Sequence, residues 1–265
     1  MKVIESEAII LKNFSLAEAD KIILCLTREA GLVRLGVRGA KRLKSRFCGR
    51  LEPFTIAEVI YGQKEETELG RLFQAEVLVS YFHLASRLNV LNALSYLSEI
   101  LIAVTPPHEP NEVLYRMVRA CLSAVDEVHE DLTAVRLTVA YFELWLLRLA
   151  GFLPDFQVCT ACRLKIQNVP AYYSAHEARL ICLNCAGENR RDDLMSARLL
   201  KVLRAAVLAP PLKFVETAIK LDVNQASLDN VTHRLLRKIL EYDPQYWSKD
   251  FELEENPFLK IEQVA

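Results

Sequence analysis

Short apolar runs separated by turn residues fill the first eighty positions. Val3-Ile4 and Ala8 to Leu11 open the series, followed by Lys21 to Thr27, Leu32 to Val37, Phe54 to Tyr61 and Leu69 to Val79. The runs are rich in β-branched residues and mark about five strands. Five short strands with one longer connection suit a small closed barrel of the OB type, a fold that commonly binds single strands. The longer connection falls between the third and fourth strands.

From Tyr81 the period changes. Leu84, Leu88, Leu91, Leu94, Leu97, Leu101 and Val104 recur every three or four residues, which predicts the apolar face of a helix, stopped by Pro106-Pro107. Further helices are predicted over 111–128 and 133–150; the second of these is apolar nearly all round and belongs at the centre. Ser196 to Leu208 reads as a helix that ends at Pro210-Pro211, and Ser227 to Tyr242 as the last one. The fold class is therefore α+β and multidomain. It divides into a barrel over 1–80, helices over 81–155 and 188–243, a separate module over 156–187 and a loosely held tail over 244–265 with Glu252, Glu254 and Glu255.

Composition narrows the class. The 265 residues are 52% hydrophobic and 25% charged, a globular balance, and the formal net charge is −1. No secretory signal opens the chain, and Arg136, Glu143 and Arg148 interrupt the greasiest segment, which makes it a buried helix and not a membrane span. Seven cysteines, four of them in CxxC pairs, fit a reducing compartment with a metal, hence the cytoplasm.

Against that neutral background the charge of one stretch is local. Arg34, Arg38, Lys41, Arg42, Lys44, Arg46 and Arg50 follow one another with no carboxylate between Glu29 and Glu52. Gly36, Gly39 and Gly49 punctuate the stretch, which reads as a strand leading into an exposed loop. A surface built for solubility mixes its signs; segregated positive charge suits a phosphate backbone. Phe47, inside the run, either stacks a base or plugs the end of the barrel. Arg234, Arg237 and Lys238 either extend the footprint or form a solvated helix face.

Cys159-x-x-Cys162 and Cys182-x-x-Cys185 stand nineteen residues apart. Two CxxC turns present four thiolates to one ion and leave no open position, which marks a structural Zn²⁺ site. AYYS, Ala171 to Ser174, lies between them as a small strand. His176 also lies between them but is not needed by a satisfied ion. Cys25, Cys48 and Cys121 read as small core or surface residues.

The run GVRGAKRLKSRFCGRLEPFT (Gly36 to Thr55), the preceding AEADKIILCLTREAGLVRL and the following ELGRLFQAEVL resemble the signature of the RecO family of bacterial recombination mediators. The order of barrel, helices, four-cysteine zinc finger with AYYS and returning helices is similar as far as about residue 242. The resemblance implies a non-enzymatic, nucleoid-associated DNA repair factor. Such a factor binds single- and double-stranded DNA, anneals complementary strands and associates with RecR and with the C-terminal tail of single-stranded DNA-binding protein. With RecR it helps load RecA onto coated single strands. The family's basic barrel loop corresponds to Arg38, Lys41, Arg42, Lys44, Arg46 and Arg50, to which Arg34 is added by charge alone. The family's zinc ligands correspond to Cys159, Cys162, Cys182 and Cys185.

Two readings of other classes compete. One is a zinc-containing nuclease, although no GxxxxGK[ST] loop, GxGxxG, HExxH or deaminase pattern occurs in the chain. The other is a protein–protein scaffold whose basic loop grips an acidic peptide.

Overall fold

The computed structural model describes all residues except 17, 65–66, 175–178, 188–192, 238–239 and 241–265. Five strands open the chain: β1 (Lys2–Ser15), β2 (Lys21–Thr27), β3 (Gly31–Val37), β4 (Thr55–Gln63) and β5 (Leu69–Ser80). They close into a barrel in the order β1-β2-β3-β5-β4. Every pairing is antiparallel except β3 with β5, where Arg34 lies opposite Leu69 and Gly36 opposite Arg71. The two opening runs, Val3-Ile4 and Ala8 to Leu11, are parts of one strand. β1 pairs with β4 through its first half and with β2 through its second, and a register shift between Ile10 and Lys12 bends it around the barrel.

That double duty explains why Ala8 to Leu11 is apolar without alternation. Ala8 and Ile10 point inward and pack with Ile23, Leu35, Val59 and Tyr61 in the barrel interior. Ile9 and Leu11 point outward, yet they are buried too, because α1 covers them.

A short 3₁₀ turn (Phe82–Ser86) leads into α1 (Leu88–Val104), which ends before Pro106-Pro107 as expected. The segment after α1 returns to the barrel, where the His108 N–H donates to the Leu32 carbonyl at 3.1 Å. Gly31, at φ +64, is required there: a Cβ would sit 2.0 Å from the Glu109 carbonyl oxygen. α2 (Glu112–Val128) is capped by Asn111 and α3 (Leu132–Leu149) by Asp131.

α3 is central, as its composition predicts, and packs against α1, α2, α4, α5 and α6. Each charge that interrupts it has a partner. Arg136 meets Asp229 at 3.1 Å and Arg148 donates to the Val207 carbonyl at 3.1 Å. Glu143, 1% exposed, accepts from the Tyr96 hydroxyl with His233 close by.

Beyond α3 a three-stranded sheet in the order β7-β6-β8 comprises β6 (Ala171–Ser174), β7 (Arg179–Cys182) and β8 (Asp193–Met195). β6 is the expected AYYS strand. α4 (Ala197–Leu208), α5 (Pro211–Lys220) and α6 (Gln225–Leu236) complete the described chain. Sequence reading missed α5, because Pro210-Pro211 looks only like a stop. Pro211 occupies the first turn of a new helix, where its missing N–H costs nothing. The last helix is predicted to reach Tyr242, but 238–239 and everything after Leu240 lie outside the described residues, as does the predicted tail. Among the described residues no helix is long and apolar enough to cross a membrane.

Candidate nucleic-acid interface and metal centre

The basic run is the loop between β3 and β4, and its backbone is not an open excursion. It folds as successive tight turns, in which Ser45, Cys48 and Arg50 each donate to the carbonyl three residues back, at 2.9, 3.2 and 3.1 Å. Several contacts pin it to the barrel, among them the Lys41 N–H to the Ala19 carbonyl at 3.0 Å. Asp20 accepts from the Gly39 N–H at 2.7 Å, and the Asn13 amide donates to the Leu51 carbonyl at 3.1 Å. Phe47 and Leu51 turn inward and join the barrel interior cluster. Phe47 is 5% exposed, so it plugs the barrel; the alternative, a ring offered to a base, is not what the structure shows.

With Phe47 and Leu51 turned in, the loop turns its cations out. Arg38, Lys41, Arg42, Lys44, Arg46 and Arg50 are all exposed, and Leu43 at the tip is fully so. Arg46 lies over the Phe47 ring at 4.9 Å, and Arg50 donates to the Ala75 carbonyl of β5 at 3.1 Å. Among the described residues no carboxylate forms an ion pair with Arg38, Arg42, Lys44, Arg46 or Arg50. Arg34 is placed differently. It stands on the outer face of β3 beside Pro106 and His108, 3.8 Å from Glu68. Asp20 and Asn13, which hold the loop, escaped sequence reasoning. Each is an isolated polar residue nineteen or thirty-eight positions from its partner, and nothing local signals the contact.

The second site is the four-cysteine cluster. The Sγ atoms of Cys159, Cys162, Cys182 and Cys185 all lie within 4.8 Å of one another, and Cys162 and Cys182 are 3.8 Å apart. Tetrahedral ligation at a Zn–S distance of about 2.3 Å sets sulfurs about 3.8 Å apart, so the spacing fits such an ion. The first knuckle is a tight turn: Cys159 N–H donates to the Leu164 carbonyl and Arg163 N–H to the Cys159 carbonyl, each at 2.9 Å, with Arg163 at φ +63. Thr160 ties this knuckle to β7 through the Leu180 carbonyl at 2.8 Å.

Burial opposes ionisation of Cys159, but N–H groups of Cys162, Cys182 and Ala161 aimed at its sulfur prevail and bring the thiol down to about 6. The Cys185 thiol is pushed up to about 12 by hydrogen bonding with Cys182 and Cys162. Four sulfurs so close together could hold a metal ion, to which each would present a thiolate, since a cation between them relieves the mutual repulsion of the charged forms. Of the other cysteines, Cys25 and Cys121 are buried and Cys48 is exposed. His176, Arg190, Arg191 and Lys238 lie outside the described residues.

A closed barrel bearing a cationic loop, followed by a helical body with a four-cysteine cluster, defines a two-part architecture, and the family comparisons divide the chain at the same place. The model of the recombination protein O N-terminal domain matches residues 1–81, and that of its C-terminal domain matches residues 85–245. The chain belongs to the recombination protein O (RecO) family. Among its relatives, DNA repair protein RecO of Koribacter versatilis is 33% identical over 180 residues, 68% of this chain and 71% of the relative. DNA repair protein RecO of two Synechococcus strains is 30% identical over 240 residues, covering 87% of this chain and 77% of the relative, and 31% over 241 residues, covering 88% and 82%.

Proposed function

We propose that this chain is a non-enzymatic DNA repair and recombination mediator. It binds single- and double-stranded DNA, anneals complementary strands and, with RecR, helps load RecA onto single strands coated with binding protein, whose C-terminal tail it also engages. The barrel over 1–80 is of the OB type and carries the DNA on Arg38, Lys41, Arg42, Lys44, Arg46 and Arg50, with Arg34 as an outlying contact. The helical body over 81–155 and 188–243 carries the four-cysteine module over 156–187. Cys159, Cys162, Cys182 and Cys185 hold one Zn²⁺ whose contribution is structural.

The observation that carries this reading is the loop's arrangement, Phe47 and Leu51 in the barrel and six exposed cations outward. A polyanion meeting that surface releases counterions from its phosphates and gains affinity without base contacts. Two strands neutralised on one surface repel each other less and pair without nucleotide hydrolysis. The decisive experiment is strand annealing by the chain with Lys41, Arg42, Lys44 and Arg46 all changed to Ala and zinc content verified. Annealing collapses if the reading is right, whereas undiminished annealing refutes it.

A further inference from the structure

We propose that the cavity between the four-cysteine module and the starts of α4 and α6 binds a phosphate monoester. The cavity has a volume of about 620 Å³, within the roughly 300–1,000 Å³ of small-molecule sites, so it admits a phosphate together with the nucleoside it belongs to. Its walls include the first turns of two twelve-residue helices, Ser196 and Arg198 on α4, Asn224 and Ser227 on α6. Ser196 Oγ caps only the Leu199 N–H and Asn224 Oδ1 only the Ser227 N–H, each at 3.1 Å. The N–H groups of residues 197, 198, 225 and 226 precede the helical ladders and have no partner within them. Of these residues Arg198 lines the cavity, as do the caps Ser196 and Asn224, so the starts of two helices border one space, a setting that favours an anion.

A separate observation points to a ligand. Tyr173, on β6, also lines the cavity and is 2% exposed, and among the described residues its hydroxyl has no hydrogen-bond partner. Burial pushes the phenol up, while the nearby Arg234 pulls it the other way, so a neutral O–H sits near a guanidinium with no acceptor among the described residues. Native structures rarely leave such a group unpaired, because doing so forfeits its solvation.

The charges decide which ion. Arg234 is paired with Asp193, and Asp222 stands at the rim, but Arg198 has no carboxylate partner among the described residues. Arg198, the two helix starts and Tyr173 all line this one cavity. Donors so arranged match the three terminal oxygens of a phosphate monoester better than a planar carboxylate. The site uses none of the barrel residues, so it stands independently of the barrel reading. The phosphate comes either from a free nucleotide or from the end of a strand.

The test is calorimetric titration of the full zinc-loaded chain with AMP and with inorganic phosphate, against chloride at equal ionic strength. Saturable binding is expected for both phosphates. It weakens by roughly tenfold in Arg198→Ala, which removes a charge-assisted bond. It weakens by about threefold in Tyr173→Phe, which deletes only the orphaned hydroxyl and leaves the packing intact. The variant lacking the four barrel-loop cations should bind AMP as the parent does, which separates this site from the DNA reading. No saturable binding, or binding undiminished in Arg198→Ala, overturns the proposal. On the loop-neutralised background, stronger retention of a 5′-phosphorylated oligonucleotide than of its 5′-hydroxyl twin assigns the site to strand ends. Equal retention of the two overturns that source and leaves the free nucleotide.

Discussion

Neutralising part of the barrel loop should change the salt dependence of DNA binding by an amount that its geometry sets. Six exposed cations, Arg38, Lys41, Arg42, Lys44, Arg46 and Arg50, lie on the one loop between β3 and β4. If each meets one phosphate of a single strand, log affinity should fall against log salt with a slope of about −0.7 per contact, or roughly −4 in all. Affinity would then drop about three-hundredfold between 50 and 200 mM salt. Changing Lys41, Arg42, Lys44 and Arg46 to Ala leaves Arg38 and Arg50, a slope of about −1.4 and a loss of only about sevenfold over the same range. The variant should fold, because the loop's anchors are elsewhere: Phe47 and Leu51 in the barrel interior, the Asp20 contact with Gly39 and the Asn13 contact with Leu51. Fluorescence anisotropy with a labelled single strand over a salt series reads both slopes, and thermal unfolding confirms that the variant is intact. A parent slope near zero refutes the electrostatic interface, and an unchanged slope in the variant shows that the phosphates bind somewhere else.

Other expectations can be checked with simple assays. Phe47→Ala empties part of the barrel interior and should cost about 3–5 kcal/mol in chemical denaturation of the barrel, whereas Phe47→Leu recovers most of it. Metal analysis should find one zinc per chain. Chelation should lower Tm by about 10 °C or more, since structural zinc contributes roughly 10–16 kcal/mol of apparent binding energy and a few of those kcal/mol suffice for such a shift. A thiol reagent at neutral pH should label Cys48 alone in the zinc-loaded protein: the cluster cysteines are occupied, burial holds Cys25 up at about 12, and burial raises Cys121 as well. Removing the zinc should add cluster cysteines to the labelled set, the exposed Cys162 among them, and labelling of Cys25 or Cys121 before unfolding would contradict the packing.

Much of this was legible in the chain, and the parts that were not share a physical cause. Strand and helix periods are local, so β2, β3, β4 and the central helix α3 could be read directly. The four-cysteine cluster was equally plain, because two CxxC pairs signal by residue type and spacing that their sulfurs meet. What failed to show was anything set by a partner distant in sequence. The run Ala8 to Leu11 announces burial on both faces but not that α1 covers Ile9 and Leu11. Glu143 argues against a membrane span, yet its donor Tyr96 is forty-seven positions away. The role of Phe47 was undecidable because stacking and plugging need the same residue type, and only the closed barrel beneath it distinguishes them. α5 was lost to a local ambiguity, since a proline pair ends one helix and begins another with equal ease.

The two sites belong to different cores, and this determines how perturbations travel. The loop is anchored in the barrel interior, through Phe47 and Leu51 among residues such as Ile10, Val59 and Tyr61. Cys159 and its neighbours Ile166 and Leu180 belong instead to the larger core, which also holds α3, α4 and the barrel's outer-face residues Ile9, Leu26 and Ile56. Loss of metal should therefore loosen the helical body and its seating on the barrel while leaving the loop's own anchors intact. Loss of loop charge touches neither core. An annealing defect in a cysteine variant would then report on how the body is held, and only a defect in a folded, zinc-loaded loop variant would report on the polyanion surface itself.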